Sequence, residues 1–332
     1  MTRPWAVECP TAIPLDAHYI ETAFARRLRA VLDTALADRS GHVIGARSGA
    51  GKSTELEEFA ARHPVVRRPD GQTRVPIVRA TPPVGPRSST KGFTRSLVES
   101  FGTVPRGTQE AQLAWLIGQM VACESGLIVV DDAHGVTADD LLLVKHVTDE
   151  VARRRGGERV GFVLLCAAAG GTLPLAEIIN RPTLQWVQLR RRMSPVRPWI
   201  YVASLSPAEV RDALAAYESV VLAPHLPDLR LVRWSERISR HLAHPFFDIE
   251  GNGRATMQNV RDVVDGIVRR LLVNGLGDIP DESLVDEAVA ELLAAPTTQV
   301  IESDPGPATI EDDPASDTRT PDDRVVAQGA VG

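Results

Sequence analysis

The stretch "GARSGAGKSTELEEFAARH", residues 45–63, limits what this chain can fold into more than any other. His42-Val43-Ile44 leads in as a short strand. Two glycines separated by one residue follow, then Lys-Ser-Thr, then helical spacing from about Lys52 to Arg62. Bare backbone directly before a helix suits one task, the holding of a chain of phosphates. Amide N–H groups must point inward at the oxygens, and side chains at Gly49 and Gly51 would obstruct them. The helix start adds its positive end and its unpaired N–H groups. Ala46-Arg-Ser-Gly-Ala-Gly51-Lys52-Ser53 fits the phosphate-binding loop in the form that admits Ala first. The residues expected to hold a nucleotide are therefore Ser48, Gly49, Ala50, Gly51, Lys52, Ser53 and Thr54. Lys52 reaches the β- and γ-phosphates, and the Ser53 hydroxyl ligates Mg²⁺.

Such a loop needs an acid at the end of a neighbouring strand. "GLIVVDDAH", residues 126–134, supplies an apolar run ending in Asp131 and Asp132, 79 residues after Lys52. Asp131 is expected to hold the Mg²⁺ through water, and Asp132 to orient or deprotonate the attacking water. His134 reads as a turn histidine rather than a catalytic one. Val75–Ala80 reads as a further strand lying between the two motifs in the chain, an order that suits the large ATPases better than small-molecule kinases.

Around these motifs, buried apolar strands alternate with helices as far as "RVGFVLLCAAA" (159–169), which indicates a parallel sheet covered on both faces. Helical spacing is also read at 20–38, near 91–101 and 108–123, and at 137–155. Beyond about Ser204 strands stop, and helices are expected near 206–217, 229–244, 254–273 and 281–294. The resulting domains are an N-terminal extension and helix (1–40), an α/β nucleotide-binding domain (41–204), a helical lid (205–295) and a disordered acidic tail (296–332). Of the chain's 43 acids and 37 bases, eight acids and two arginines fall in 302–324, which leaves 35 of each in residues 1–301. The net charge of −6 thus belongs to the tail, which is too poor in apolar residues to offset chain entropy. No run approaches the ~20 apolar residues of a membrane helix, and the first twenty residues lack a signal-peptide apolar block. Cys9, Cys123 and Cys166 are far apart and read as reduced thiols. A cytoplasmic location without membrane contact is the expectation.

With both motifs placed, the chain resembles the AAA+ ATPases, and within them the TniB/TnsC group of transposition regulators, over roughly residues 20–294. The stretches that carry the resemblance are "GARSGAGKST", "VRATPPVGPRSSTKGFTRSLVESFG", "LIVVDDAH", "LQWVQLRRRM" before "YVASLSPAEVRDAL", and "IEGNGRATMQNVRDVV". It implies a P-loop AAA+ sheet sandwiched by helices with a helical lid. It also implies an ATP-dependent, DNA-binding protein that assembles as a ring or filament and links a target selector to a transposase. By the same resemblance, one arginine of Arg190, Arg191 and Arg192 reaches a neighbouring subunit's γ-phosphate, Arg192 being favoured, with Arg191 beside it. Arg254 matches the lid arginine that senses nucleotide in its own subunit. Two departures stand out. Asp131-Asp132 replaces the family's usual Asp-Glu, and the fourth strand runs into Cys166-Ala-Ala-Ala, with Thr172 the nearest polar residue. Both point to slow hydrolysis used as a switch.

A neutral body binds DNA only through local clusters. Arg87, Lys91 and Arg95, with the hydroxyls between them, form one candidate, and by resemblance this region faces the bore of the assembly. Arg230, Arg233, Arg237 and Arg240 form a second, within an arc of roughly 80° if one helix carries them. An ordinary solvated face remains the alternative for both. Neither has the aromatics of a base-stacking platform, so contact with duplex DNA is expected to be weakly sequence-specific. The competing readings are a STAND-like signalling or defence ATPase acting on protein partners, and a helicase-loader ATPase.

Overall fold

The computed structural model describes residues 13, 19–83, 89–168, 173–196, 198–202, 205–244, 256–274 and 282–294. The expected tail, Arg87, Arg254, Thr172 and Cys9 lie outside them. The described residues all belong to one compact unit.

Five strands make a parallel sheet: β1 (Gly41–Ala46), β4 (Ile77–Ala80), β5 (Leu127–Val130), β6 (Gly161–Ala167) and β7 (Trp199–Val202), in the spatial order β4-β5-β6-β1-β7. A separate two-stranded hairpin, β2 (Val66–Arg67) with β3 (Thr73–Arg74), is exposed. The strand that separates the loop strand from the acid strand is β6, which pairs with both. The expected Val75–Ala80 strand is the edge, shortened to four residues. β7 and the hairpin were not anticipated.

The sheet is largely apolar because both faces are covered; His42 of β1 and Arg79 of β4 are the charged or polar exceptions. Along β6, Phe162, Leu164 and Cys166 enter one cluster while Val163 and Leu165 enter the other, as the two-residue side-chain period requires. On one face, α1 (Ala23–Asp38) and α2 (Lys52–Arg62) contribute Phe24, Leu28, Leu32, Leu56 and Phe59. The other face packs on α3 (Thr90–Glu99), α4 (Gln109–Ala122) and α5 (Ala138–Arg154) through Phe93, Leu97, Leu116, Val144 and Val147. Each such side chain contributes about 1.5–3 kcal/mol by leaving water. Two short helices, α6 (Pro174–Ile179) and α7 (Leu184–Arg190), precede β7.

The helical region that follows contains α8 (Pro207–Ala216), a π-helical turn (Tyr217–Leu222), α9 (Ser235–Leu242), α10 (Met257–Asn274) and α11 (Ser283–Ala294). Its core joins Leu214, Trp234, Ile238, Val260, Val264 and Val285. The expected single helix over 229–244 is broken instead: Arg230 is not helical, Leu231–Trp234 is a 3₁₀ turn, and only then does α9 begin. The arginine stripe breaks with it. Arg237 pairs with Asp286 and Glu282, Arg230 donates to the Pro227 and Leu229 carbonyls, and the Arg233 guanidinium sits 4.6 Å from the Trp234 ring centre. Three of the four arginines are therefore engaged within the fold.

No helix among the described residues is long and apolar enough to cross a membrane. Cys123 and Cys166 are buried free thiols, and burial pushes Cys166 up to about 12.

Candidate nucleotide-binding site

The loop between β1 and α2 is shaped by its glycines. Gly49 (φ 74°) and Gly51 (φ 93°) both take left-handed backbone, and Gly51 is the residue on which α2 starts. Gly51 has open space around the missing Cβ, so its conformation alone requires glycine. At Gly49 a Cβ would also come within 2.9 Å of the Gln258 Cβ.

That second contact shows what closes the loop. α10 begins against it: the Gln258 amide donates to the Gly49 carbonyl at 3.1 Å. Thr256 caps the helix, exchanging hydrogen bonds with Asn259. Ser48, Gly49, Ala50, Gly51, Lys52, Ser53 and Thr54 line a cavity of about 410 Å³ together with Asp132, Gln258 and Arg261. Tyr19, Ile20 and Thr22, from the segment before α1, Ala25 of α1, Met257 of α10, and Tyr217, from the π-helical turn, complete it. π-Turns often mark functional sites, and this one carries Tyr217, whose hydroxyl burial pushes up to about 12.

Lys52 is buried, and its ammonium donates to the Ala46 and Arg47 carbonyls, each at 3.0 Å. Burial lowers its pKa, while the charges of Asp132 and Asp131 act in the opposite direction. Loop lysine and strand-end acids thus feel each other although β6 lies between their strands. Asp131 is buried and accepts from the Asp132 amide at 3.0 Å. Asp132 is exposed and left-handed (φ 51°), a conformation aspartate tolerates better than most residues. His134 is exposed in the 3₁₀ turn that follows. The Ser53 hydroxyl and the Asp131 carboxylate are hard oxygen donors suited to Mg²⁺.

Behind the loop, Glu55 of α2 is fully buried. Arg29 donates to it through Nε (2.8 Å) and Nη2 (3.1 Å), and Tyr19 is hydrogen-bonded to the same carboxylate. Arg29 of α1 thereby ties the cavity's N-terminal wall to the loop helix.

Residues 37–167 match the model of a family described as an AAA domain. Two solved structures of the Aeropyrum pernix ORC2 protein superpose well: the ADPNP–ADP complexes with a TM-score of 0.56 and the ADP form with 0.54. Each is 16% identical, over 83% of this chain and 71% of that one. No curated protein matches. The chain has the AAA+ P-loop fold.

In that AAA+ frame the arginine block lies away from the chain's own cavity. The Gly41 amide, at the start of β1, donates to the Arg192 carbonyl at 2.8 Å, whereas the phosphate loop leaves β1 after Ala46. Five residue steps of strand, about 17 Å, separate them. Arg192 is paired with Asp149, and Arg190 donates to the Ile179 and Arg181 carbonyls. Arg191 is exposed, and its side chain has no partner among the described residues. Lys91 in the first turn of α3 and Arg95 in its second are exposed and line a cavity of about 420 Å³ with Ser89, Gly92, Gly107 and Gln112. Arg95 pairs with Glu99, whereas Lys91 has no ion partner among the described residues.

Sequence reasoning missed Arg261, which reaches the cavity from the second turn of α10. The lid helix was expected from 254, whereas α10 starts at Met257; Arg254 itself lies outside the described residues. The N-terminal wall was missed too, because Tyr19 and Ile20 belong to no spacing motif.

Proposed function

We propose that this chain is an ATPase that binds ATP with Mg²⁺ and assembles on duplex DNA as a regulator of transposition. The observation that carries the ATPase reading is the loop cavity itself, with glycine-shaped backbone, Lys52 and Asp132 in its lining and a lid helix hydrogen-bonded to the loop. ATP's phosphates would lie along residues 48–54, with the Lys52 ammonium leaving the Ala46 and Arg47 carbonyls for phosphate oxygens. When bound, Mg²⁺ neutralises phosphate charge, and Ser53 and Asp131 are the residues to hold it. Asp132 orients water and accepts its proton. As an aspartate it reaches about one methylene less far than a glutamate would, which makes hydrolysis slow. Arg261 serves as the lid cation that responds to nucleotide.

Assembly follows from the arginine block. An arginine about 17 Å of strand away acts on a γ-phosphate only in a neighbouring copy. Arg191, exposed and unpartnered, is better placed for this than Arg192. Transposition rests on the sequence resemblance in the Ser-Thr-Lys segment, the arginine block and the lid; the partners would be a transposase and a target selector. DNA contact is assigned to Lys91 and Arg95.

The test is sedimentation and DNA-shift measurement with a slow ATP analogue at low salt. We expect ATP-dependent oligomers that retain duplex DNA cooperatively and lose it steeply with salt. Arg191→Ala abolishes assembly, Lys91→Ala with Arg95→Ala abolishes DNA retention only, and Lys52→Ala weakens ATP binding about 10- to 100-fold. A protein that binds ATP yet stays monomeric and leaves DNA unshifted refutes the regulator reading and favours a signalling ATPase.

A further inference from the structure

Four arginines from four separate segments converge on a second cavity, of about 450 Å³, at the end of the sheet away from the phosphate loop. Arg39 caps the end of α1, Arg153 lies near the end of α5, Arg159 precedes β6, and Arg192 follows α7. The position is fixed by the hydrogen bond from Gly41, the first residue of β1, to the Arg192 carbonyl.

Acids are too few to neutralise this group. Asp149 is the one carboxylate on the wall, and it is shared between Arg192 and Lys145. Glu158 approaches Arg39 only to 3.4 Å, and Glu150 pairs with Arg153. Arg159 has no ion pair or hydrogen bond among the described residues. Immediately behind, Arg155 spends its guanidinium on the Ser125 and Met120 carbonyls rather than on an acid. Burial lowers the pKa of Arg155, and the charge of Arg39 adds to that effect. The four wall arginines therefore meet three acids, Asp149, Glu150 and Glu158, and Asp149 is shared with Lys145.

Arg39 is also incompletely satisfied. Its backbone is left-handed (φ 54°, ψ 38°) at a helix end where glycine is usual. Its Nη1 is buried without an acceptor, against Gly126. A position that favours glycine thus holds a cation on the cavity wall, whose one ion pair is the long contact from Nη2 to Glu158. Guanidinium forks match the several charged oxygens of a phosphate, whereas a single carboxylate occupies one fork. The volume is that of a small-ligand site.

We infer that this cavity is a second phosphate-binding site, separate from the nucleotide cavity, that takes a phosphate-bearing polyanion. The phosphates come either from a nucleic-acid backbone or from a free oligophosphate, since both present the same chemistry.

The test titrates inorganic tripolyphosphate by calorimetry into the full-length protein held in excess ADP. Arg153→Ala with Arg159→Ala removes two exposed side chains, so the fold survives, which circular dichroism verifies. This variant is expected to bind tripolyphosphate about tenfold more weakly. Asp149→Asn removes the lone wall carboxylate and is expected to tighten binding severalfold. Short duplex DNA forms the second arm. If it competes, and loses affinity in the same double variant, the phosphates are those of nucleic acid. If it is indifferent, they belong to a free oligophosphate, and either result upholds the site. Equal tripolyphosphate affinity in wild type and double variant overturns the site. So does an acidic peptide that binds as well as tripolyphosphate. The inference survives failure of the ATPase reading, because anion entering the phosphate loop would be indifferent to Arg153 and Arg159.

Discussion

The two ends of the sheet gather cationic and N–H groups by different means. At the end where β1 leaves for α2, backbone forms the cradle: two left-handed glycines, a helix start, and one lysine held on the Ala46 and Arg47 carbonyls. At the other end, side chains do so, with arginines from four segments around a cavity. A backbone cradle dictates glycine at fixed spacing and so writes a motif. A side-chain cradle can be assembled from any residues the fold brings together and leaves no motif. The same contrast separates Arg237, whose charge Asp286 and Glu282 meet, from Arg39 and Arg159, whose charges are poorly met. Neutralised arginines hold the fold together; those left over are available to ligands.

The largest expected effect isolates chemistry at the loop end. Asp132→Asn keeps the exposed left-handed turn, which asparagine also tolerates, but removes the proton acceptor. Turnover in a phosphate-release assay should fall roughly 10²- to 10⁴-fold with ATP affinity little changed. Normal hydrolysis by this variant removes Asp132 from the reaction.

A smaller effect sharpens the backbone argument by setting two glycines of one loop against each other. Both Gly49→Ala and Gly51→Ala force an L residue into left-handed backbone, at about 1–2 kcal/mol. Only at Gly49 does the new methyl also meet Gln258 on the lid helix, at 2.9 Å. Gly49→Ala should therefore lower the melting temperature further than Gly51→Ala and weaken ADP binding as the lid is displaced. Equal melting temperatures for the two variants would show that the lid does not rest on the loop in solution.

The sequence made the loop end legible because its chemistry is local. Helix starts were legible for the same reason. Thr22, Ser89, Thr108, Thr137 and Ser206 each accept from an amide three residues on, and Thr137 and Ser206 complete capping boxes with Asp140 and Glu209. What stayed hidden depends on distant segments. Strand order places β6 between loop and acids, which no spacing along the chain announces. β7 is four residues long and follows Pro195 and Pro198, too short to show alternation. Arg261 went unnoticed because the lid helix was expected from 254, whereas α10 begins at Met257 and sets Arg261 in its second turn. The arginine stripe failed because apolar periodicity over 229–244 does not reveal the non-helical backbone at Arg230.

The smallest expected effect probes the neutralised arginine. Hydrogen bonds from Arg237, and then from His241, hold the Asp286 carboxylate down at about 2, below its ordinary 3.8. A carboxyl whose pKa is lower in the folded chain stabilises the fold fully above its unfolded pKa, near 4. That contribution is lost as the pH falls from about 4 toward 2. Asp286 is 42% exposed, so solvent screening limits the contribution to less than about 1 kcal/mol. Asp286→Asn should lower the melting temperature by only a degree or two at pH 7. The gap from wild type should narrow between pH 4 and pH 2. Arg159→Ala, by contrast, removes a cation with no acid partner and should not lower the melting temperature at neutral pH. If Arg159→Ala destabilises the protein as much as Asp286→Asn does, Arg159 has a structural partner, and the division between neutralised and available arginines fails.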